Sequence, residues 1–299
     1  MDLSFLRPVD LACALAVVWI GLGVSGLALI RSPRLILDAV FPIGAVAALT
    51  LAIVGVWGIN APASSAILPL GLPDLPFHLR VDALSGFFLL LLGSVAFGIS
   101  LFSSGYFRGN GERGLGLLCF QYHVFLASMA LVLIADDAYL FMVTWESMAL
   151  SSYFLVTTEH HEERNRRAGF IYLLIAHLGA ISILLCFGVL HGGHGDYTFE
   201  ALRAADLSGL WATVAFLLAF FGFGAKAGML PMHDWLPEAH PAAPSPVSAL
   251  MSGVMLKTAI YGMIRVIYDL IGGIRWEWGL TVLLFGAATS LFGVLFALM

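Results

Sequence analysis

The sequence predicts an all-α, polytopic membrane protein: a transmembrane helical bundle of about nine spans. Two observations carry that prediction. Hydrophobic residues make up 60% of the chain and charged residues only 11%, with a mean hydropathy of +0.95, whereas a soluble domain carries about 25% charged residues. Apolar runs of about 20 residues, the length needed to cross a bilayer, also recur along the whole chain. The net charge of −5 gives no electrostatic case for nucleic-acid binding. Cys13, Cys119 and Cys186 stand singly inside apolar runs and read as packing residues, without metal-ligand spacing.

Taken in order, the spans fall at roughly 9–30, 37–58, 82–103, 115–134, 138–157, 168–190, 209–228, 246–268 and 277–299. The first lacks a basic leader and a clear cleavage site, so it reads as a retained anchor. The fourth and fifth are joined by a tight turn at Asp136-Asp137. The connections 59–81 and 191–208 are rich in Pro or Gly and too short for a soluble domain. Arg31, Arg34, Arg108, Arg113, Arg164, Arg166 and Arg167 gather on one side of this arrangement, which places the N-terminus outside. The final run, GVLFALM, ends without a polar cap, so a longer parent protein is expected.

Three charges lie at membrane depth: Glu146 in the fifth span, Lys226 in the seventh and Lys257 in the eighth. Each costs about 2.5–3.5 kcal/mol to insert, so such residues face a protein interior or a wet cavity. A carboxylate and two lysines can pass a proton as their pairing changes; the plainer alternative is a fixed ion-pair network. Ser147 and Ser151 form a small-residue row beside Glu146 that favours close helix approach. Around Lys226, Pro231 removes an N–H from the helical ladder and Gly224 and Gly228 loosen the same turn. A helix from 209 to about 240 would overshoot the bilayer, so a break is expected here, of the kind that marks binding sites in transporters. His177 is mid-span, and His233 and His240 flank the break. These three are auxiliary candidates, with packing roles as the alternative.

The blocks WESMALSSYFLV, GFGAKAGMLPMHDWLPEAHPAAPSPVSALM and VMLKTAIYGMIR resemble the antiporter-like membrane subunits of respiratory complex I, Mrp-type Na⁺/H⁺ antiporters and membrane-bound hydrogenases. The texture is most similar to the large membrane subunits of hydrogenase-4 and formate hydrogenlyase. The resemblance implies three units: helices 1–3 over 1–114, a proton-translocating antiporter-type five-helix repeat (spans four to eight) over 115–270, and the start of a following helix over 271–299. It also implies that Glu146, Lys226 and Lys257 are the proton-translocating residues, with Glu146 partnered by Lys226. Further implications are a bacterial or archaeal cytoplasmic membrane and a multisubunit oxidoreductase complex of the hydrogenase or NADH–quinone type. Its partners would be other membrane subunits and peripheral redox subunits, and its cargo protons, with Na⁺ as the alternative cation. Ni–Fe, Fe–S or flavin centres would belong to the partner subunits. The chain itself carries no catalytic redox motif. Two other readings are a Na⁺/H⁺ antiporter subunit without redox partners and a structural membrane anchor.

Overall fold

The computed structural model describes residues 6–109, 114–193, 195–273 and 275–298; the chain end at Met299 lies outside the described residues. Helix α1 (Pro8–Ala28) opens on a proline in its first turn, where the missing N–H has no helical partner to lose. Helix α2 (Pro33–Asn60) begins the same way and carries a second proline, Pro42. A π-turn over Ile36–Val40 comes just before it, with the Phe41 N–H reaching the Ile36 carbonyl. That wider turn relieves the crowding Pro42 would otherwise cause four residues back. Helix α3 (Ala83–Gly109) lies against α2 at backbone contact. A Cβ on Gly86 would fall 2.8 Å from the Gly55 carbonyl oxygen, and one on Gly93 would fall 2.5 Å from that of Ala48. Small residues thus set the helix spacing, as is usual where lipid supplies no hydrophobic drive.

The remaining helices are α4 (Leu115–Ile134), α5 (Ala138–Val156), α6 (Glu163–His191), the short α7 (Phe199–Ala204), α8 (Gly209–Ala227) and α9 (Trp235–Ala242). After them come α10 (Ser245–Leu270), which contains π-turns at Met251–Met255 and Arg265–Leu270, and α11 (Trp276–Leu298). Among the described residues, eight helices are long and apolar enough to cross a membrane. The ninth expected span, α5, forms as a 19-residue helix, but Glu146, Thr144 and three serines dilute its hydropathy. Helix α4 is the most buried of the spans and α11 the least.

One connection departs from the expectation of irregular loops. Residues 59–81 contain an antiparallel hairpin, β1 (Ser64–Leu72) and β2 (Leu75–Val81), in register from Ser64↔Val81 to Leu68↔Phe77 and shifted before Gly71↔Pro76. The hairpin docks on the Asp136-Asp137 turn. The Asp136 N–H donates to the His78 carbonyl (2.8 Å), and the Asp137 carboxylate accepts from the N–H groups of His78 (2.7 Å) and Leu140 (2.6 Å). On the other side Phe199 N–H donates to the Asp136 carbonyl (2.9 Å) and Ala138 N–H to that of Tyr197 (2.9 Å). Asp137 is therefore the N-cap of α5 as well as the anchor of the hairpin.

A charged clasp closes the same face. Arg265 on α10 binds Asp82, the residue before α3, through two bonds of 2.7 and 2.8 Å, and it also donates to Ser85 and Asp269 (3.0 Å each). Arg203 on α7 grips Asp269 (2.8 and 3.0 Å) and reaches Asp136 (3.2 Å). Planar guanidinium forks suit such two-point contacts. Burial alone would raise the Asp82 carboxyl, but the Arg265 hydrogen bonds and charge, with the Ser85 N–H, hold it well below the usual carboxylate range. Asp136 stays raised: its burial outweighs the charges of Arg203 and Arg80.

Candidate functional site

Glu146 lies halfway along α5. The helix survives its polar content because the hydroxyls turn back on the backbone: Thr144 to Leu140, Ser147 to Val143, Ser151 to Ser147 and Ser152 to Met148. The Glu146 side chain is 31% exposed and points out between α5 and α6, where its carboxylate stands 3.4 Å from His177 Nε2. His177 Nδ1 is 2.9 Å from the Leu173 carbonyl, which can only accept, so Nδ1 carries a proton. Two acceptor atoms would then face each other across the 3.4 Å gap unless one of them is protonated. Protonation of either group would turn this approach into a hydrogen bond or an ion pair.

Lys226 occupies the last turn of α8 and is 2% exposed. Its ammonium does not touch Glu146: among the described residues, no carboxylate comes within 4.0 Å of Nζ. It donates instead to the Tyr172 hydroxyl at 2.5 Å, and that hydroxyl lies 2.5 Å from Ser152 Oγ. The direct Glu146–Lys226 pairing expected from the sequence is therefore replaced by a tyrosine interposed from α6.

The helix break is present where the sequence placed it. Helix α8 stops at Ala227, and Gly228 takes a left-handed conformation (φ +73°) that closes the end, with Met229 N–H donating to the Gly224 carbonyl (2.9 Å). Trp235 Nε1 donates to the Ala225 carbonyl at 2.9 Å, giving the freed backbone a partner across the gap. Pro231 sits inside the break, between α8 and α9. His233 packs its ring near Phe296, and His240 Nδ1 lies 2.8 Å from Ser248 Oγ. Neither histidine touches Glu146 or Lys226.

Lys257 stands apart. It is exposed on the outer side of α10 in this chain, and its Nζ donates to the Ser252 carbonyl (2.6 Å) at the Met251–Met255 π-turn. The Met251–Met255 π-turn comes just before Lys257, a departure from α-helical advance that hydropathy does not report. Tyr172 and Ser152, which do contact Lys226 or its partner, escaped the sequence reading. Nothing along one helix reports which hydroxyls a neighbouring helix brings to it.

A family profile described as NADH:quinone oxidoreductase/Mrp antiporter, TM, matches residues 135–299. The chain belongs to this family. Hydrogenase-4 component B of Escherichia coli (strain K12) is 44% identical over 222 residues, covering 74% of this chain and 33% of that protein. NADH-quinone oxidoreductase subunit L of Mycobacterium tuberculosis (strain ATCC 25618 / H37Rv) is 32% identical over 237 residues, covering 76% of this chain and 36% of that protein. The chain thus spans about a third of the length of these curated relatives. Among solved structures, a chain of the Mrp complex from Dietzia sp. DQ12-45-1b shares the fold, with a TM-score of 0.72 at 21% identity over 87% of this chain and 49% of that one. The protein is an antiporter-like, multi-span, all-α membrane subunit.

Proposed function

We propose that this chain carries part of a proton path in a membrane redox complex of the hydrogenase-4, formate hydrogenlyase or NADH–quinone oxidoreductase kind. Glu146 and Lys226 would be its first two proton-handling groups and Lys257 the next. The observation that carries the proposal is the approach of the Glu146 carboxylate to His177 Nε2 at 3.4 Å, midway along two apolar helices. A buried lysine held by a neutral hydroxyl lies next to it and can give up its charge without abandoning a carboxylate.

The half-exposure of this pair supports a membrane partner subunit. Val143, Leu150, Leu174, Leu178 and Ile181 are exposed around it, and ionisable groups are not left facing hydrocarbon. Redox chemistry would reside in partner subunits holding Ni–Fe, Fe–S or flavin centres, in a bacterial or archaeal cytoplasmic membrane with the N-terminus outside.

The test is proton uptake by proteoliposomes holding the assembled complex, driven by the redox substrate of the peripheral subunits. Glu146→Gln and Lys226→Met should each abolish pumping while the assembly persists. Full pumping in both variants overturns the proposal. Pumping that needs Na⁺ and runs on a pH gradient without redox turnover moves the protein to the antiporter class.

A further inference from the structure

We propose that Tyr172 and Ser152 form a reversible hydrogen-bond seat for Lys226, letting the lysine hold or release its proton while parked away from Glu146. This rests on the reading of Glu146 and Lys226 as proton-handling residues. The seat is sealed: Tyr172 is 1% exposed, Ser152 0% and Lys226 2%. A charged group so enclosed must have its hydrogen-bonding needs met by what surrounds it.

The distances permit one consistent chain when Lys226 is an ammonium. Lys226 Nζ donates to Tyr172 Oη (2.5 Å), Tyr172 donates to Ser152 Oγ (2.5 Å), and Ser152 donates to the Met148 carbonyl (2.6 Å). In this order one ammonium N–H and both hydroxyl protons have acceptors. Hydroxyls donate and accept equally well, so the chain also runs backwards. With Lys226 a neutral amine, Ser152 turns its O–H to Tyr172, and Tyr172 turns its O–H to the amine lone pair. The Met148 carbonyl keeps its place as an acceptor within α5.

The proton balance is simple. One N–H bond breaks at Lys226 and, relayed by water, one O–H bond forms on the Glu146 carboxylate, while the two hydroxyls only rotate and carry no proton themselves. A phenylalanine at 172 could serve neither state, and a carboxylate there would fix the ammonium permanently. The titratable groups facing Lys226 are Tyr172 from α6 and Glu146 from α5. Its other neighbours at the seat, Ser152, Met255 and Trp235, are neutral.

The seat is also tied to the helix break. The Tyr172 ring packs on Trp235 with centroids 5.0 Å apart, and Trp235 is the first residue of α9, held to the end of α8 through the Ala225 carbonyl. Movement of α9 across the break would shift the tyrosine and with it the lysine. The hydroxyl's third neighbour, Met255 Sδ at 3.7 Å, lies in the Met251–Met255 π-turn two residues before Lys257. The seat thus touches both segments that carry lysines.

The experiment compares rate–pH profiles of redox-driven proton uptake by the assembled complex in proteoliposomes. Tyr172→Phe keeps the ring on Trp235 and removes only the hydroxyl. It should lower turnover about tenfold, the loss expected for one hydrogen bond to a charged group, and shift the profile by about one pH unit. Ser152→Ala should give a smaller shift of the same sign. A merely structural role would lower the rate by one factor at every pH, and an unshifted profile in Tyr172→Phe overturns the seat. If Tyr172→Phe does not assemble, Ser152→Ala decides by the same criterion. Glu146→Gln and Lys226→Met run alongside: their inactivity with an unshifted Tyr172→Phe refutes the seat alone, and their full activity refutes the underlying function.

Discussion

The carboxylate of Glu146 faces the imidazole of His177 at 3.4 Å, with the other ring nitrogen already committed to the Leu173 carbonyl. That relationship makes a histidine on α6, and not the lysine on α8, the immediate partner of the part-exposed acid. Under the proposed function, proton handling would run from this exposed-side pair inward to the enclosed lysine.

Removing the imidazole tests the pair directly. His177→Phe should cut proton transport about a hundredfold, in line with losing a positioned acid–base group. Assembly should persist, since the ring is 47% exposed in this chain and fills no core space. Wild-type transport rates in His177→Phe would assign the histidine a packing role.

Lys257 tests position against proximity. Among the described residues its ammonium hydrogen-bonds to the Ser252 carbonyl alone, so Lys257→Met should leave the melting temperature of the detergent-purified protein unchanged. Transport should still fall about tenfold or more if the residue is the next proton site. A drop in melting temperature with transport intact would make it a structural tether.

The clasp at the hairpin face has a pH signature with opposite signs at two aspartates. The Asp82 carboxyl is held below its unfolded value of about 3.9. Its stabilisation is therefore present above about pH 4 and lost only as pH falls through the folded value. Asp82→Asn should destabilise by about 1–3 kcal/mol at neutral pH, because Arg265 loses its two-point charge partner and keeps only Asp269.

Asp136 runs the other way, since burial raises its folded value. Its contribution is present below the unfolded value and lost as pH rises through the folded one. Asp136→Asn at pH 7 should be equal to wild type or more stable in thermal unfolding, with Asn still able to accept from Arg203. A loss as large as that of Asp82→Asn would contradict the assignment.

Backbone contact between α2 and α3 gives a purely steric prediction. A methyl group on Gly86 would sit 2.8 Å from the Gly55 carbonyl oxygen, so Gly86→Ala should cost about 1–3 kcal/mol through overpacking. Thermal unfolding of the purified protein measures it. No change would show that the two helices separate freely.

Much of this architecture could be read along the chain because lipid makes a simple demand of each helix. Helix α4 spans 115–134 as expected, and α5 begins at Ala138 because Asp137 is a natural N-cap. The break after Ala227 followed from Gly228 and Pro231, whose backbone preferences are local. The β1–β2 hairpin was hidden because its prolines and glycine read as loop, and its docking partners lie far along the chain at 135–137. Tyr172 and the outward turn of Lys257 were hidden for a related reason. Hydropathy fixes the depth of a residue but not its azimuth, and the π-turns of α10 change the azimuth without a sequence mark.

Asp82 and Arg265 are 183 positions apart in the chain. During synthesis the aspartate therefore reaches the membrane surface long before its guanidinium has been translated, and only Arg80, at 3.8 Å, is on hand to offset it. The contact that ties the start of α3 to α10 therefore forms only once α10 has been made. A nascent chain stalled before residue 265 would hold Asp82 without the guanidinium that neutralises it.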